Sequence, residues 1–230
     1  MLGTERLSAY YGMFQALFDV SFKVERGEVV ALIGANGAGK STLLRSIVGS
    51  IRVQAGAVRL DGQAIGGRSE ISQLRDGIAL VPEGRRLFPS LTVEENLLIA
   101  ARNGRRGPWT IGRLYDQLPT LAGLKSRPAT ALSGGQQQLV AVGRALVANP
   151  AYLLCDEVSL GLSPVAVDAV YSLLSAVKLE GIAVVLVEQN VRRALASSAR
   201  YYCMQKGRVV LEGRSDTADY TKVSAAYFGI

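Results

Sequence analysis

The nine residues Gly34 to Thr42, GANGAGKST, constrain this chain more than any others. They fit the pattern G-x-x-x-x-G-K-[ST], whose backbone N–H groups cradle phosphates. Val29 to Ile33 (VVALI) leads in as a short, β-branched apolar run and reads as a buried strand. Ser41 onward carries apolar residues at helical spacing, so the loop opens a helix. Gly34, Gly37 and Gly39 allow a backbone that turns its N–H groups inward, and the helix N-terminus adds unpaired donors and partial positive charge. In that layout Lys40 reaches the β- and γ-phosphates and the Ser41 hydroxyl ligates Mg²⁺. The intervening Ala35, Asn36 and Ala38, with Thr42, complete the set expected to line a nucleotide triphosphate.

A chain of 230 residues with 49% hydrophobic and 20% charged residues has material for one large domain or two small ones with a good core. No apolar run approaches the roughly 20 residues of a membrane span. The N-terminal stretch lacks a basic start followed by an apolar segment, so the expectation is a cytoplasmic protein, carried to a membrane only by a partner. Histidine is absent, which removes histidine metal sites and histidine-based triads. Cys155 and Cys203 lie in apolar strand-like runs and read as small core hydrophobes. The net charge of +7 raises nucleic-acid binding. The arginines, however, come as scattered pairs, which a solvated surface, nucleotide phosphates or an anionic membrane face explain as well.

Along the chain, a first strand is expected over Arg6–Ala9 and a second, alternating one over Ala16–Val24. Glu25–Glu28 is a turn expected to pair that second strand with the phosphate-loop strand as a hairpin. Tyr11 could stack on a base or simply pack. A strand and turn over 56–62, a short helix over Ser69–Asp76 and a strand over Ile78–Val81 follow. Thr92 and Glu95 fit a capping box for a helix running to about Arg102. Asn103–Pro108 (NGRRGP) is expected to be a flexible break and the best lobe boundary. Helices follow over Arg113–Ala122 and from LSGGQ (Leu132–Gln136) to Val147, and Asn149-Pro150 ends the second. Ala151–Cys155 is a buried strand ending in Asp156-Glu157. Pro164–Leu179 is a helix, Ile182–Val187 a strand, Tyr201–Met204 with Arg208–Leu211 a hairpin, and Asp216–Ile230 a helical tail.

The alternation of strands and helices predicts a mostly parallel α/β sheet with an antiparallel side sheet. The region from about 91 to 149, without convincing strands, reads as a separate helical lobe. A carboxylate pair at the C-terminal end of a strand lies where such sheets bind ligands. Asp156 is the natural Mg²⁺ partner and Glu157 can polarise a water for in-line attack on a γ-phosphate.

A phosphate loop, LSGGQ and a strand ending in Asp-Glu, in that order, resemble the ATP-binding cassette (ABC) ATPases across essentially the full chain. The resemblance implies one cassette over 1–230. Its P-loop core spans about 1–90 and 150–230, with an N-terminal antiparallel β-subdomain and an inserted helical signature subdomain over about 91–149. It implies ATP and Mg²⁺ as cofactors, with two cassettes meeting head to tail. Each ATP then lies between one phosphate loop and the partner's Ser133, Gly134, Gly135 and Gln136. Tyr11 matches the adenine-stacking aromatic.

Three positions depart from the general family pattern. Glu83 stands where Gln is usual, Gln189 where the switch His is usual, and Val158 where Pro follows Asp-Glu. VPEGRRLFPSLTVEENL (Val81–Leu97), LVEQN (Leu186–Asn190) and SLGLSP (Ser159–Pro164) are similar to the smaller ATPase subunit of branched-chain amino acid importers, although Val158 is unusual even there. By that resemblance Glu83 contacts Mg²⁺ or its water, and Gln189 and Glu157 serve hydrolysis. The partners are integral membrane permeases, a second ATPase subunit (related or identical) and, indirectly, an extracytoplasmic amino-acid-binding protein. The location is the cytoplasmic face of the membrane, and no nucleic acid is expected. Urea or amide uptake, lipopolysaccharide export and a non-transport ABC ATPase acting on nucleic acid are the alternatives.

Overall fold

The computed structural model describes residues 1–54 and 56–229. β1 (Leu2–Tyr11) and β2 (Phe14–Val24) pair antiparallel around the Gly12 turn. The all-apolar β3 (Val29–Ile33) is buried throughout and runs into the phosphate loop and α1 (Lys40–Ile47). β4 (Val58–Leu60) pairs with β1, and β5 (Gln63–Ala64) pairs with β4.

After α2 (Glu70–Arg75) come β6 (Ile78–Val81) and α3 (Val93–Asn103), the latter opened by the Thr92/Glu95 capping box. α4 (Ile111–Gln117) and α5 (Pro119–Ala122) follow, then α6 (Gly134–Leu146) and β7 (Tyr152–Asp156). α7 (Pro164–Leu179), β8 (Ala183–Glu188), α8 (Val191–Ser197), β9 (Arg200–Gln205), β10 (Arg208–Arg214) and α9 (Tyr220–Phe228) complete the chain.

The main sheet has the order β10-β9-β3-β8-β7-β6 and the side sheet β2-β1-β4-β5. All main-sheet pairs except β9–β10 are parallel. β3, β7 and β8 are covered on both faces, which is why their sequences are continuous rather than alternating apolar runs. Register brings Ile33 opposite Glu188 and Asp156 opposite Val187, so the three strand ends open at one edge.

The expected hairpin between the second strand and the phosphate-loop strand does not form. β2 alternates and pairs with β1, whereas β3 is apolar on both faces and enters the middle of the other sheet. The expected break at Asn103–Pro108 is also not a loose boundary. Asn149, at φ 54°, accepts from Trp109 N (2.8 Å) and donates to Arg105 O and Trp109 O (3.2 and 3.1 Å). Gly104 and Gly107 lie so close to Ala148 and Asn149 that a side chain there would collide. The helix expected over Arg113–Ala122 is two helices, divided at Leu118 before Pro119.

The stretch from α3 to α6 contains no strand among the described residues, as expected. Val93, Leu97, Leu114, Val140 and Leu146 belong to one cluster with Leu153, Cys155 and Leu186 of the main sheet. The tail becomes helical only at Tyr220, and Ile230 lies outside the described residues.

Candidate functional site

The loop between β3 and α1 forms the floor of a cleft of about 730 Å³. Gly34 has φ 156° and lies against the Met204 carbonyl so closely that no Cβ fits; Gly39, at φ 103°, would place a Cβ 2.7 Å from Leu17 Cδ2. These two positions therefore require glycine for packing as well as for the turn. Asn36, Gly37, Ala38, Gly39, Lys40, Ser41 and Thr42 line the cleft, whereas Gly34 and Ala35 act from beneath it. Their carbonyls accept from Lys40 Nζ at 2.7 and 3.1 Å.

Lys40 is only 4% exposed, and its Nζ lies 3.6 Å from Glu157 Oε1. The other carboxylate oxygen, Glu157 Oε2, accepts from Gln189 Nε2 at 2.7 Å. Gln189 Nε2 also approaches Asn36 Oδ1 at 3.3 Å. One carboxylate is thus held between the loop lysine and the residue after β8. Glu157 sits at φ 51°, a left-handed conformation disfavoured for a residue with a side chain, and its N–H donates to Val187 O at 3.2 Å. Val158 does not spoil this turn: its side chain is fully buried in the core shared with α6 and α7.

Asp156, at the end of β7, is 1% exposed and accepts from Ser41 Oγ at 3.0 Å. Burial pushes its carboxyl above the ordinary aspartate range. The Ser41 hydrogen bond opposes this, and the charges of Glu157 and Glu83 reinforce it. Among the described residues no lysine or arginine lies within ion-pair distance of Asp156. Glu83 lies on the cleft wall.

The cleft also has a wall that local sequence gives no reason to expect. Phe14, Gln15, Ala16 and Phe18 of β2 and the Lys206-Gly207 turn face the loop, and Gly207 N donates to Ala38 O at 2.9 Å. No spacing rule places residue 207 against residue 38. Tyr11 lies at the mouth, about half exposed, with its hydroxyl 3.4 Å from Thr42 Oγ1.

Ser133 to Gln136 lie outside this cleft. Ser133 is the exposed N-cap of α6; its Oγ accepts from Gln136 N (3.3 Å), and Gln136 Oε1 accepts from Ser133 N (2.9 Å). The Gln136 side chain and its N–H are therefore engaged in a capping box with Ser133 at the start of α6. Gly135 has its own packing reason: a Cβ would come 2.7 Å from Ala166 Cβ of α7.

A glycine-rich loop between a buried parallel strand and a helix, beside a buried acidic pair on a neighbouring strand, defines a P-loop nucleotide-binding protein. The chain belongs to the ABC transporter family, whose model matches residues 17–159, and is an ATP-hydrolysing cassette of it. It is 41% identical, over the full length of both chains, to the high-affinity branched-chain amino acid transport ATP-binding protein BraG of Pseudomonas aeruginosa. It is 38% identical to a probable branched-chain amino acid transport ATP-binding protein, LivF, of Archaeoglobus fulgidus, with 94% of this chain and 93% of that one covered. A dimeric ATP-binding cassette solved in a post-hydrolysis state with ADP and Pi superposes at a TM-score of 0.81, with 27% identity over 94% of this chain and 99% of that one.

Proposed function

We propose that this cassette is the energy-supplying subunit of an importer for branched-chain amino acids. It works on the cytoplasmic face of the membrane with integral permeases and a second cassette, and an extracytoplasmic binding protein delivers the solute to the permeases. The full-length likeness to BraG and the VPEGRRLFPSLTVEENL and LVEQN segments support the substrate class. The observation that carries the hydrolytic role is the grip of Lys40 and Gln189 on Glu157 above the phosphate loop.

In this reading Tyr11 stacks on the adenine, and the N–H groups of Gly34 to Thr42 and the charge of Lys40 hold the phosphates. A γ-phosphate arriving at Lys40 replaces Glu157 as its partner. Glu157 is then free to take the proton of the attacking water, and Gln189 orients it and hydrogen-bonds the γ-phosphate. The buried carboxylate of Asp156, without a cation of its own, and the Ser41 hydroxyl beside it form an oxygen donor pair that suits Mg²⁺, with Glu83 able to join through water. Bound there, Mg²⁺ would neutralise phosphate charge. Ser133, Gly134 and Gly135 close the γ-phosphate site of the partner cassette, while Gln136 caps their helix. The region of about 91–149 turns against the core to reach that geometry.

Glu157→Gln tests the reading. It is expected to retain ATP binding and lower turnover by a hundredfold or more. Near-normal turnover would remove Glu157 from the base role. Co-purification of the chain with permeases, and leucine uptake that is lost with Glu157→Gln, test the transport assignment.

A further inference from the structure

Glu188, the last residue of β8, is a buried carboxylate that the hydrolytic scheme above does not use. It is 3% exposed, and among the described residues no lysine or arginine lies within ion-pair distance of it. Two hydroxyls satisfy it instead. Ser159 Oγ and Tyr171 OH both donate to Glu188 Oε1, each at 2.6 Å. That length belongs to charge-assisted O–H···O⁻ bonds, the strong kind. Burial first, and then the Glu188 charge, push the Tyr171 phenol well above its ordinary range, as expected for a proton held between a phenol and an anion. The Arg193 guanidinium lies 5.7 Å from the centroid of the phenol ring.

The position of this trio matters more than its burial. Ser159 lies two residues after Glu157, and Glu188 one residue before Gln189. Glu157 and Gln189 are in turn hydrogen-bonded to each other at 2.7 Å. A closed circuit results: Glu157, Val158, Ser159, Glu188, Gln189 and back to Glu157. Within it Glu157 keeps φ at 51°. A side-chain-bearing residue persists there only where its surroundings over-determine it. The turn supplies two backbone bonds, Glu157 N to Val187 O and Leu160 N to Glu157 O, both 3.2 Å. The Ser159–Glu188 bond is the side-chain tie of the same turn and the shortest of the three. Tyr171 anchors the tie to α7, whose N-terminal turn packs on Gly135 of the α6 start through Ala166.

We propose that Glu188, through Ser159, is the positioning residue that holds the Glu157 turn, and so sets the aim of the Glu157 carboxylate at the attacking water without touching the nucleotide. The inference rests on the general-base reading of Glu157. Misplacement of a reacting group by about 1 Å lowers turnover without weakening ground-state binding, so the signature is a fall in kcat at unchanged KM.

The experiment compares steady-state ATP turnover of the full chain with Ser159→Ala, Ser159→Thr, Glu188→Gln and Glu157→Gln, together with their melting temperatures. Ser159→Ala is expected to lower kcat by about tenfold, with KM for ATP within twofold and the melting temperature lowered by several degrees, short of unfolding at the assay temperature. Ser159→Thr keeps the hydroxyl and is expected to restore most of the rate. Glu188→Gln is expected to match Ser159→Ala in kcat. In the Glu157→Gln background, Ser159→Ala is expected to change nothing further. A Ser159→Ala kcat within twofold of the original chain, or a loss that Ser159→Thr does not repair, overturns the inference. Should Glu188→Gln not fold, the Ser159 pair decides alone. If Glu157→Gln turns over normally, the general-base reading itself fails; if it stalls while Ser159→Ala is unaffected, only the positioning role fails.

Discussion

Lys40 has three partners within the chain, Gly34 O, Ala35 O and Glu157 Oε1, and almost no solvent exposure. A lysine so placed is a fixed point charge under the phosphates rather than a flexible arm. Lys40→Ala is therefore expected to weaken ATP binding by about 2 kcal/mol, roughly thirtyfold, read by titration calorimetry. Unchanged affinity would separate the cleft from the phosphates. Gln189 does not titrate, and the chain has no histidine. Its pH–rate profile is expected to show no inflection near about 6.5 that an imidazole would give. An inflection there that vanishes in Gln189→Ala would contradict this. The phosphate-loop residues were readable because their spacing and flanks are local. Gln136 shows what was within reach and overlooked: Ser133-x-x-Gln136 is the same box pattern as Thr92-x-x-Glu95, and the structure gives Gln136 that capping task. Glu188 carries no local signal of its role, because its partners lie 29 and 17 residues away.

At the level of elements, those whose signals are internal matched closely. α7 begins at Pro164 and ends at Leu179 as expected, and β3 covers Val29–Ile33. What failed was partner choice. The hairpin assigned to Glu25–Glu28 was a local inference about a pairing that the main sheet decides, since β3 finds β8 and β9 instead. The Asn103–Pro108 segment looked loose because Asn149, which fixes it, lies some 40 residues on. Asn149→Ala removes four hydrogen bonds and leaves a left-handed residue without its anchor. It is expected to destabilise the chain by about 2 kcal/mol or more in urea unfolding. A change below about 0.5 kcal/mol would contradict that anchoring role.

A second element-scale prediction concerns the lead-in to β3. Arg200 of β9 pairs with Glu28 at 2.6 Å (Nε to Oε1) and 3.0 Å. Burial pushes the Glu28 carboxyl up, but the Arg200 hydrogen bonds and the Glu25 N–H outweigh it and hold the group below its ordinary 4.5. A carboxyl lowered in the folded state contributes stability above the unfolded value and loses it as pH falls through the folded one. Urea midpoints measured from pH 7 to pH 3 are expected to fall more steeply below about 4.5 in the original chain than in Glu28→Gln. Parallel curves would contradict the assignment.

At the scale of the whole molecule, the phosphate loop and Ser133 do not share a cleft: Ser133 to Gln136 are absent from the residues that line it. The net charge of +7 is not gathered into one binding surface by the sequence, and the basic residues are partly consumed inside the fold. Arg144 donates to the Arg85 and Arg86 carbonyls, and Arg85 to Gln137 Oε1. No helix among the described residues is long and apolar enough to cross a membrane. In the proposed reading the cassette closes its nucleotide site against another cassette. The sequence could suggest that through LSGGQ, but it could not say that Gln136 and Gly135 also serve this chain's own helix packing, because Ala166 meets Gly135 only after folding.

The central claim, that two cassettes each lend half of an ATP site, is tested by mixing two disabled chains. Lys40→Ala spoils the phosphate loop, and Ser133→Glu places a negative charge where the partner's γ-phosphate is expected. Each variant alone is predicted to be silent in ATP turnover. Mixed in equal amounts they form pairs with one intact composite site, and turnover is predicted to return to a sizeable fraction of the original rate. Silence of the mixture, or normal turnover by Ser133→Glu alone, would contradict the claim.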